Sequence, residues 1–304
     1  MDNKLNVHRQ LSSKGLNHTV LILDVQRRVD EQKIRPVAWD KKTLRRGHRM
    51  NWRKYPTVEV INEYMDYLAK NYPSVCKLKE IGKSSENTTI QMLTISNGNP
   101  QNQGILLVAG SHAREWIAMT SALIILREIV TKFDEQPKYV QDKDWHVIPL
   151  LNPDGFRYTY QRDRFWRKSR GRNVKSNCKG VDLNRNFGTD WHIKGVAEKQ
   201  PCKELYSGPH PFSEPETRAL RVYIDKLFIS WISTYVCIPL DQRTLKPSRA
   251  TEVVEFALPT LQIGCGGKQL QAFILDGTEA ATSFDDCKDC SFERVRKVPV
   301  RFYY

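Results

Sequence analysis

His112 and Glu115 stand three residues apart in Gly110-Ser-His-Ala-Arg-Glu-Trp116, directly after an apolar run and directly before a long helical one. At a helix entrance, side chains three apart share a face and can reach one ion. An imidazole and a carboxylate are ligand types that suit Zn²⁺. A lone His-x-x-Glu is more often a polar strand-to-helix turn, and what gives this one weight is its company. Leu151-Asn-Pro-Asp-Gly-Phe156 follows a candidate strand, Arg164-Phe-Trp-Arg-Lys168 comes soon after, and Gly180-Val-Asp-Leu-Asn-Arg-Asn186 closes the series. Read alone, Arg167 is a solvated charge in a basic run.

Together, in this order and at this spacing, the four segments resemble the M14 family of zinc metallocarboxypeptidases, in particular the pancreatic A/B-type digestive enzymes. The resemblance implies a zinc-dependent hydrolase that removes one residue from the C-terminus of peptides and proteins. It assigns His112 and Glu115 as metal ligands and Arg114 as a contact to the peptide. It assigns Arg167 to the scissile carbonyl and its oxyanion, and Asn184 with Arg185 to the free C-terminal carboxylate, a task that suits guanidinium geometry. Cys178 and Cys202 fall where the family carries a disulfide. Upstream, His18-Thr-Val-Leu-Ile-Leu-Asp-Val-Gln26 looks like the last strand and helix of the family's activation pro-segment. The basic residues that follow sit where a trypsin-like protease cuts it. A secreted zymogen is the expectation, although the polar start Met1-Asp2-Asn3-Lys4 shows no signal peptide.

The resemblance covers roughly residues 18–227 and then stops. The family takes its third zinc ligand from a histidine in a His-Ser-Tyr-type motif at a strand end, and Ile232 occupies that place. His192 and His210 lie in loops that the family does not aim at the metal, and the sequence has no histidine after His210. The family's general base belongs to a Glu-Leu-Arg-Asp-type segment that is absent. Glu252, Glu255, Glu279 and Glu293 are the glutamates left downstream, without the surrounding sequence. An abrupt loss of this kind reads as a frame change, an unspliced intron or an alternative exon. Two functions follow: a zinc exopeptidase, or a catalytically inactive or truncated member that at most binds peptide C-termini.

The elements that must position these residues are legible from periodicity. Apolar Val60, Ile61, Tyr64, Met65 and Leu68 predict an amphipathic helix over residues 57–71. Strands are expected at 75–81, 88–95, 104–109, 145–151 and 228–236, and a long helix at 116–133. Strands alternating with helices indicate an α/β domain, and the resemblance implies a mixed central sheet with helices on both faces. Ser213-Glu-Pro-Glu216 predicts a capped helix start. Residues 19–25 predict a strand and 24–32 a short helix, the remnant of an α+β pro-segment. Residues 41–54 read as an exposed basic linker open to cleavage at Arg45, Arg46 or Arg49. The expected division is pro-segment and linker at 1–49, an incomplete catalytic domain at 50–227, and a divergent tail at 228–304.

The 304 residues are 40% hydrophobic, enough for a sizeable core, and no apolar run reaches membrane-spanning length. The formal charge of +14 collects at 41–54 and 162–175. Neither cluster sits in a nucleic-acid-binding motif, so nucleic acid and membrane are not expected partners. Seven cysteines allow one or two bridges and a leftover thiol. Cys287-Lys-Asp-Cys290 lacks a second pair at zinc-finger spacing and is read as chance.

Overall fold

The computed structural model describes residues 2–20, 22–32, 38–174, 176–188, 191, 197–225, 229–234, 261–265, 268–272 and 290–292, with backbone alone at 2–5, 8 and from 229 onward. The chain divides into two units, Met1–Ile34 and Arg35–Tyr304. Among the described residues, no helix is long and apolar enough to cross a membrane.

The first unit holds α1 (Asp2–Ser13) and α2 (Val25–Glu31), the latter started by Asp24 Oδ1, which accepts from Arg27 N at 3.0 Å. The helix expected near 24–32 forms. The described residues of 19–25 are not in a strand, and no sheet among the described residues includes them.

The basic stretch at 41–54 is not the bare linker its composition suggests. It contains α3 (Lys41–Arg46), where Asp40 Oδ1 accepts from Thr43 N and Thr43 Oγ1 accepts from Asp40 N, both at 2.7 Å. Gly47 ends the helix at φ 73°, a conformation that favours glycine. Arg49 then donates through Nε to Glu63 Oε2 at 2.8 Å, and Met50 is buried. Charge outnumbers apolar residues here, but one capping box and one buried methionine pin the segment. The boundary expected at residue 49 therefore falls inside the second unit.

That unit is built on a five-stranded mixed sheet in the order β1-β2-β4-β3-β5. The strands are β1 (Cys76–Lys83), β2 (Thr89–Ile95), β3 (Gln103–Val108), β4 (Lys143–Ile148) and β5 (Ile229–Thr234). β1, β2 and β4 pair antiparallel, whereas β3 runs parallel to β4 and to β5. Strand side chains alternate between faces. Ile90, Met92, Leu106, Val108 and Ile148 point to one face and pack with Leu220 and Tyr223 of α8 (Pro215–Ile224). Trp145 points to the other, its indole donating to Val140 O of α6 (Lys138–Gln141) at 3.0 Å. Helices thus cover both faces, as the resemblance implied.

α4 (Val58–Asn71) and α5 (Trp116–Thr131) match the periodic runs. α7 (Pro153–Gln161) was not read from the sequence; its Asn-Pro start is the signal, with Asn152 Oδ1 accepting from Gly155 N at 2.9 Å. β5 lies past residue 227, where the divergent tail was expected to begin, yet the sheet takes its fifth strand from it. A separate antiparallel sheet, β7-β6-β8, comprises β6 (Leu261–Cys265), β7 (Lys268–Ala272) and β8 (Cys290–Phe292). Cys287 lies outside the described residues.

The capping box expected at Ser213 and Glu216 does not form. Ser213 Oγ accepts from Asn186 Nδ2 at 2.9 Å and donates to Glu214 Oε1 at 3.1 Å, and Glu214 holds the cap position. Glu216 turns into the protein, where its carboxylate accepts from Ser85 N at 2.9 Å and Ser85 Oγ at 3.0 Å. Burial pushes its pKa up to about 7, with the charge of Glu214 adding to the effect and the Ser85 N–H opposing it. A folded-state pKa above the unfolded value favours the folded protein at low pH and costs stability as pH rises through it. Glu216→Gln is therefore expected to match the parent below about pH 4.5. Its advantage should grow between pH 4.5 and 7, reaching on the order of 3 kcal/mol. Urea unfolding across pH 4–8 measures this, and a pH-independent difference would contradict it.

Candidate metal centre

The loops that carry the predicted site residues leave the C-terminal ends of β3 and β4 zipped together. Ala109 N donates to Ile148 O at 2.8 Å, Leu151 N to Ala109 O at 3.0 Å, and Asn152 N to Gly110 O at 2.9 Å. Gly110 has φ 65°, and a Cβ there would lie 2.7 Å from Leu150 Cδ1, so only glycine allows this close approach. Asn152, fully buried, donates from Nδ2 to Ser111 O and to Lys168 O, each at 3.0 Å. Ala113 N donates to Arg167 O at 3.0 Å. One asparagine and one backbone bond thus fix the His112 loop to the Arg167 segment.

His112 is 2% exposed and lies between two carboxylates. Its Nδ1 is 3.0 Å from Glu115 Oε1, and its Nε2 is 3.1 Å from Asp182 Oδ1. Asp182, fully buried, also accepts from Asn184 N at 3.0 Å and, through Oδ2, from Arg167 Nε at 2.9 Å. Arg167 Nη1 reaches within 3.7 Å of Glu115 Oε1 and closes the ring. Burial disfavours the imidazolium of His112, but Asp182 and then Glu115 outweigh it and raise its pKa. Burial works against the Asp182 carboxylate too. His112, then Arg167 and Arg185, overcome it and hold that group well below the usual carboxylate range.

This geometry accommodates part of a metal site. With Nε2–H given to Asp182, the Nδ1 lone pair is directed at Glu115. Two acceptors 3.0 Å apart need a proton or a cation between them. That separation is what two ligands about 2.1 Å from one zinc ion show at roughly a right angle. Two ligand positions fit; among the described residues no third His, Cys, Asp or Glu joins them. His210 Nδ1 sits 2.9 Å from Pro211 O. His192, the side chain of Ile232, and Glu252, Glu255, Glu279 and Glu293 lie outside the described residues.

Of the other predicted residues, Asn184 and Arg185 sit on a single turn at Leu183–Arg185 that Asp182 caps, which brings them to the same centre. Arg114 goes elsewhere: its guanidinium grips both oxygens of Glu204, at 3.1 and 3.2 Å, and Phe165 O at 3.1 Å. Cys178 and Cys202 form a disulfide.

The sequence profile of Peptidase_M14, the zinc carboxypeptidases, matches residues 61–261. This chain belongs to that family. Zinc carboxypeptidase A 1 of Anopheles gambiae is 35% identical over 71% of this chain and 48% of its own length. Carboxypeptidase B of Helicoverpa zea is 35% identical over 70% and 51%. Thrombin-activatable fibrinolysis inhibitor superposes with a TM-score of 0.66 at 26% identity, covering 76% of this chain and 58% of that one. Carboxypeptidase A from Helicoverpa armigera gives 0.64 at 26% identity, over 78% and 59%. The chain spans about half the length of the curated relatives it matches.

Asp182 is the residue of this zinc carboxypeptidase-family centre that sequence reading missed. It stood inside a quoted motif, two residues before Asn184, and the signal was the need of a ligating histidine for a partner on its second nitrogen. Asp182→Asn is expected to weaken zinc binding by about 10- to 100-fold while leaving the far-ultraviolet circular dichroism unchanged. Competition with a zinc-sensitive dye reads the affinity, and an unchanged affinity would remove Asp182 from the site.

Proposed function

We propose that the chain carries the metal-and-carboxylate half of a carboxypeptidase site, and that the sequence as it stands binds peptide C-termini with hydrolysis at or near background. The ring His112–Glu115–Arg167–Asp182 carries the first part of this reading. His112 and Glu115 would hold zinc, which when bound supplies Lewis-acid chemistry to a peptide carbonyl. Arg167, anchored through Nε to Asp182 and with Nη1 3.7 Å from Glu115 Oε1, would turn a terminal nitrogen to the scissile carbonyl oxygen. Asn184 and Arg185 would clamp the terminal carboxylate, and Arg114 would meet the peptide ahead of the scissile bond. Low turnover follows from Ile232 in place of a third ligand and from the absent base segment. Losing general-base assistance alone costs about 10²- to 10⁴-fold.

The bridged Cys178–Cys202 loop suits an extracellular setting, and secretion as a zymogen is part of the proposal. Arg45 is exposed in the last turn of α3, whereas Arg49 is tied to Glu63. A trypsin-like activator would therefore act at Arg45 before Arg49, after local opening of the short helix.

One observation favours a fuller site. β5 runs parallel beside β3 with Ile232 level with Leu106 and Thr234 level with Val108, so its end lies alongside the strand that leads into Gly110. Ile232→His is expected to raise zinc affinity about tenfold or more. Release of amino acid from a blocked dipeptide, with and without chelator, tests the rest. Near-background release from the unaltered chain is expected; robust chelator-sensitive turnover would overturn the inactive reading.

A further inference from the structure

Arg114 does not wait for substrate with its charge free. Nη1 serves Phe165 O and Glu204 Oε1, and Nη2 serves Glu204 Oε2. Glu204 is placed there by its surroundings rather than by chance of rotamer. It stands two residues beyond Cys202, bridged to Cys178. On its other side, Glu198 N donates to Leu205 O at 2.9 Å and Ser207 N donates to Glu198 O at 3.2 Å. The disulfide and this short bridge hold the segment from both ends. Lys168, a buried cation nearby, is committed to Pro201 O at 2.6 Å.

We infer that Glu204 is a specificity-determining residue: paired with Arg114, it makes this part of the peptide groove select cationic over acidic side chains in the residue before the C-terminal one. The inference rests on the proposed reading that Arg114 faces the peptide. The terminal carboxylate is assigned to Asn184 and Arg185 and the scissile carbonyl to Arg167, so Arg114 serves the residues ahead of them. With its charge compensated, Arg114 can still give Nε–H and one Nη2–H to a neutral backbone carbonyl, but offers little to an acidic side chain. Glu204 is 63% exposed and Arg114 31%, so the carboxylate keeps lone pairs open to a lysine or arginine of the peptide. An arginine alone at this position would do the opposite.

The test uses the full zinc-loaded chain and three fluorescent peptides that differ only in Lys, Gln or Glu before an identical terminal residue. Anisotropy gives each dissociation constant. The expected order is Lys tightest and Glu weakest, each step about two- to fivefold, the range of exposed charge pairs, and flattened by high salt. Glu204→Gln is expected to reverse the order, and Arg114→Ala to weaken all three peptides. If Arg114→Ala weakens all three while Glu204→Gln leaves the order unchanged, the inference fails and the groove reading stands. If Arg114→Ala changes none of them, the peptide does not pass Arg114 and both fail.

Discussion

Water cannot reach the carboxylate of Asp182, so protein donors must do what water would, and three do: His112 Nε2, Arg167 Nε and the backbone N–H of Asn184. A buried charge left unpaired costs several kcal/mol, on the order of 3–5 when one partner of such a pair is removed. Each donor comes from a different motif of the sequence. Satisfying one carboxylate therefore forces the His112 loop, the Arg167 segment and the Asn184–Arg185 turn to converge. The imidazole tautomer, the aim of Arg167 and the height of the turn that would meet a terminal carboxylate all follow from that convergence.

The loops involved contain little regular structure, and buried polar side chains hold them in place of ladders. Ser169 Oγ donates to Glu214 Oε2 at 2.7 Å and accepts from Val181 N at 3.0 Å, joining the Arg167 loop to the segment before Asp182. Asn186 donates to Ser207 O at 2.8 Å and accepts from Thr217 Oγ1 at 2.7 Å, tying the same turn to α8. α8 in turn packs Leu220 and Tyr223 on the sheet. The chain of support runs from apolar burial on the sheet, through satisfied polar groups in the loops, to the orientation of two ligands. Glu204 extends the same logic outward, held by a disulfide where hydrogen bonds become sparse.

Periodicity exposed the parts of this scaffold whose stability comes from one apolar face. α4 and α5 lie where Val60, Tyr64, Leu68 and the 116–133 run put them, and β5 forms within the stretch read as a strand. Elements decided by distant partners were harder to read. Residues 19–25 have strand composition, but no sheet among the described residues includes them, and Ser213 has capping chemistry but spends it on Asn186 and Glu214. Residues 41–54 look like a linker by charge, and two short-range bonds between Asp40 and Thr43 start a helix over the first six of them. At the site, His112, Glu115 and Arg167 were singled out by the motifs that carry the family resemblance, and the structure brings the three together. Asp182 was not, because an acid that acts through a histidine 70 positions away leaves no local pattern. Glu204 was hidden for the same reason, its partner Arg114 lying 90 positions upstream.

The central claim is that Asp182 aims His112 at Glu115 and that, among the described residues, these two are what the chain gives to the metal. X-ray absorption at the zinc edge of the loaded chain counts the ligands directly. One imidazole and one carboxylate from the protein, with water completing the shell, is the expected result. Two imidazoles, or a shell with neither His112 nor Glu115 when each is replaced in turn, would contradict it.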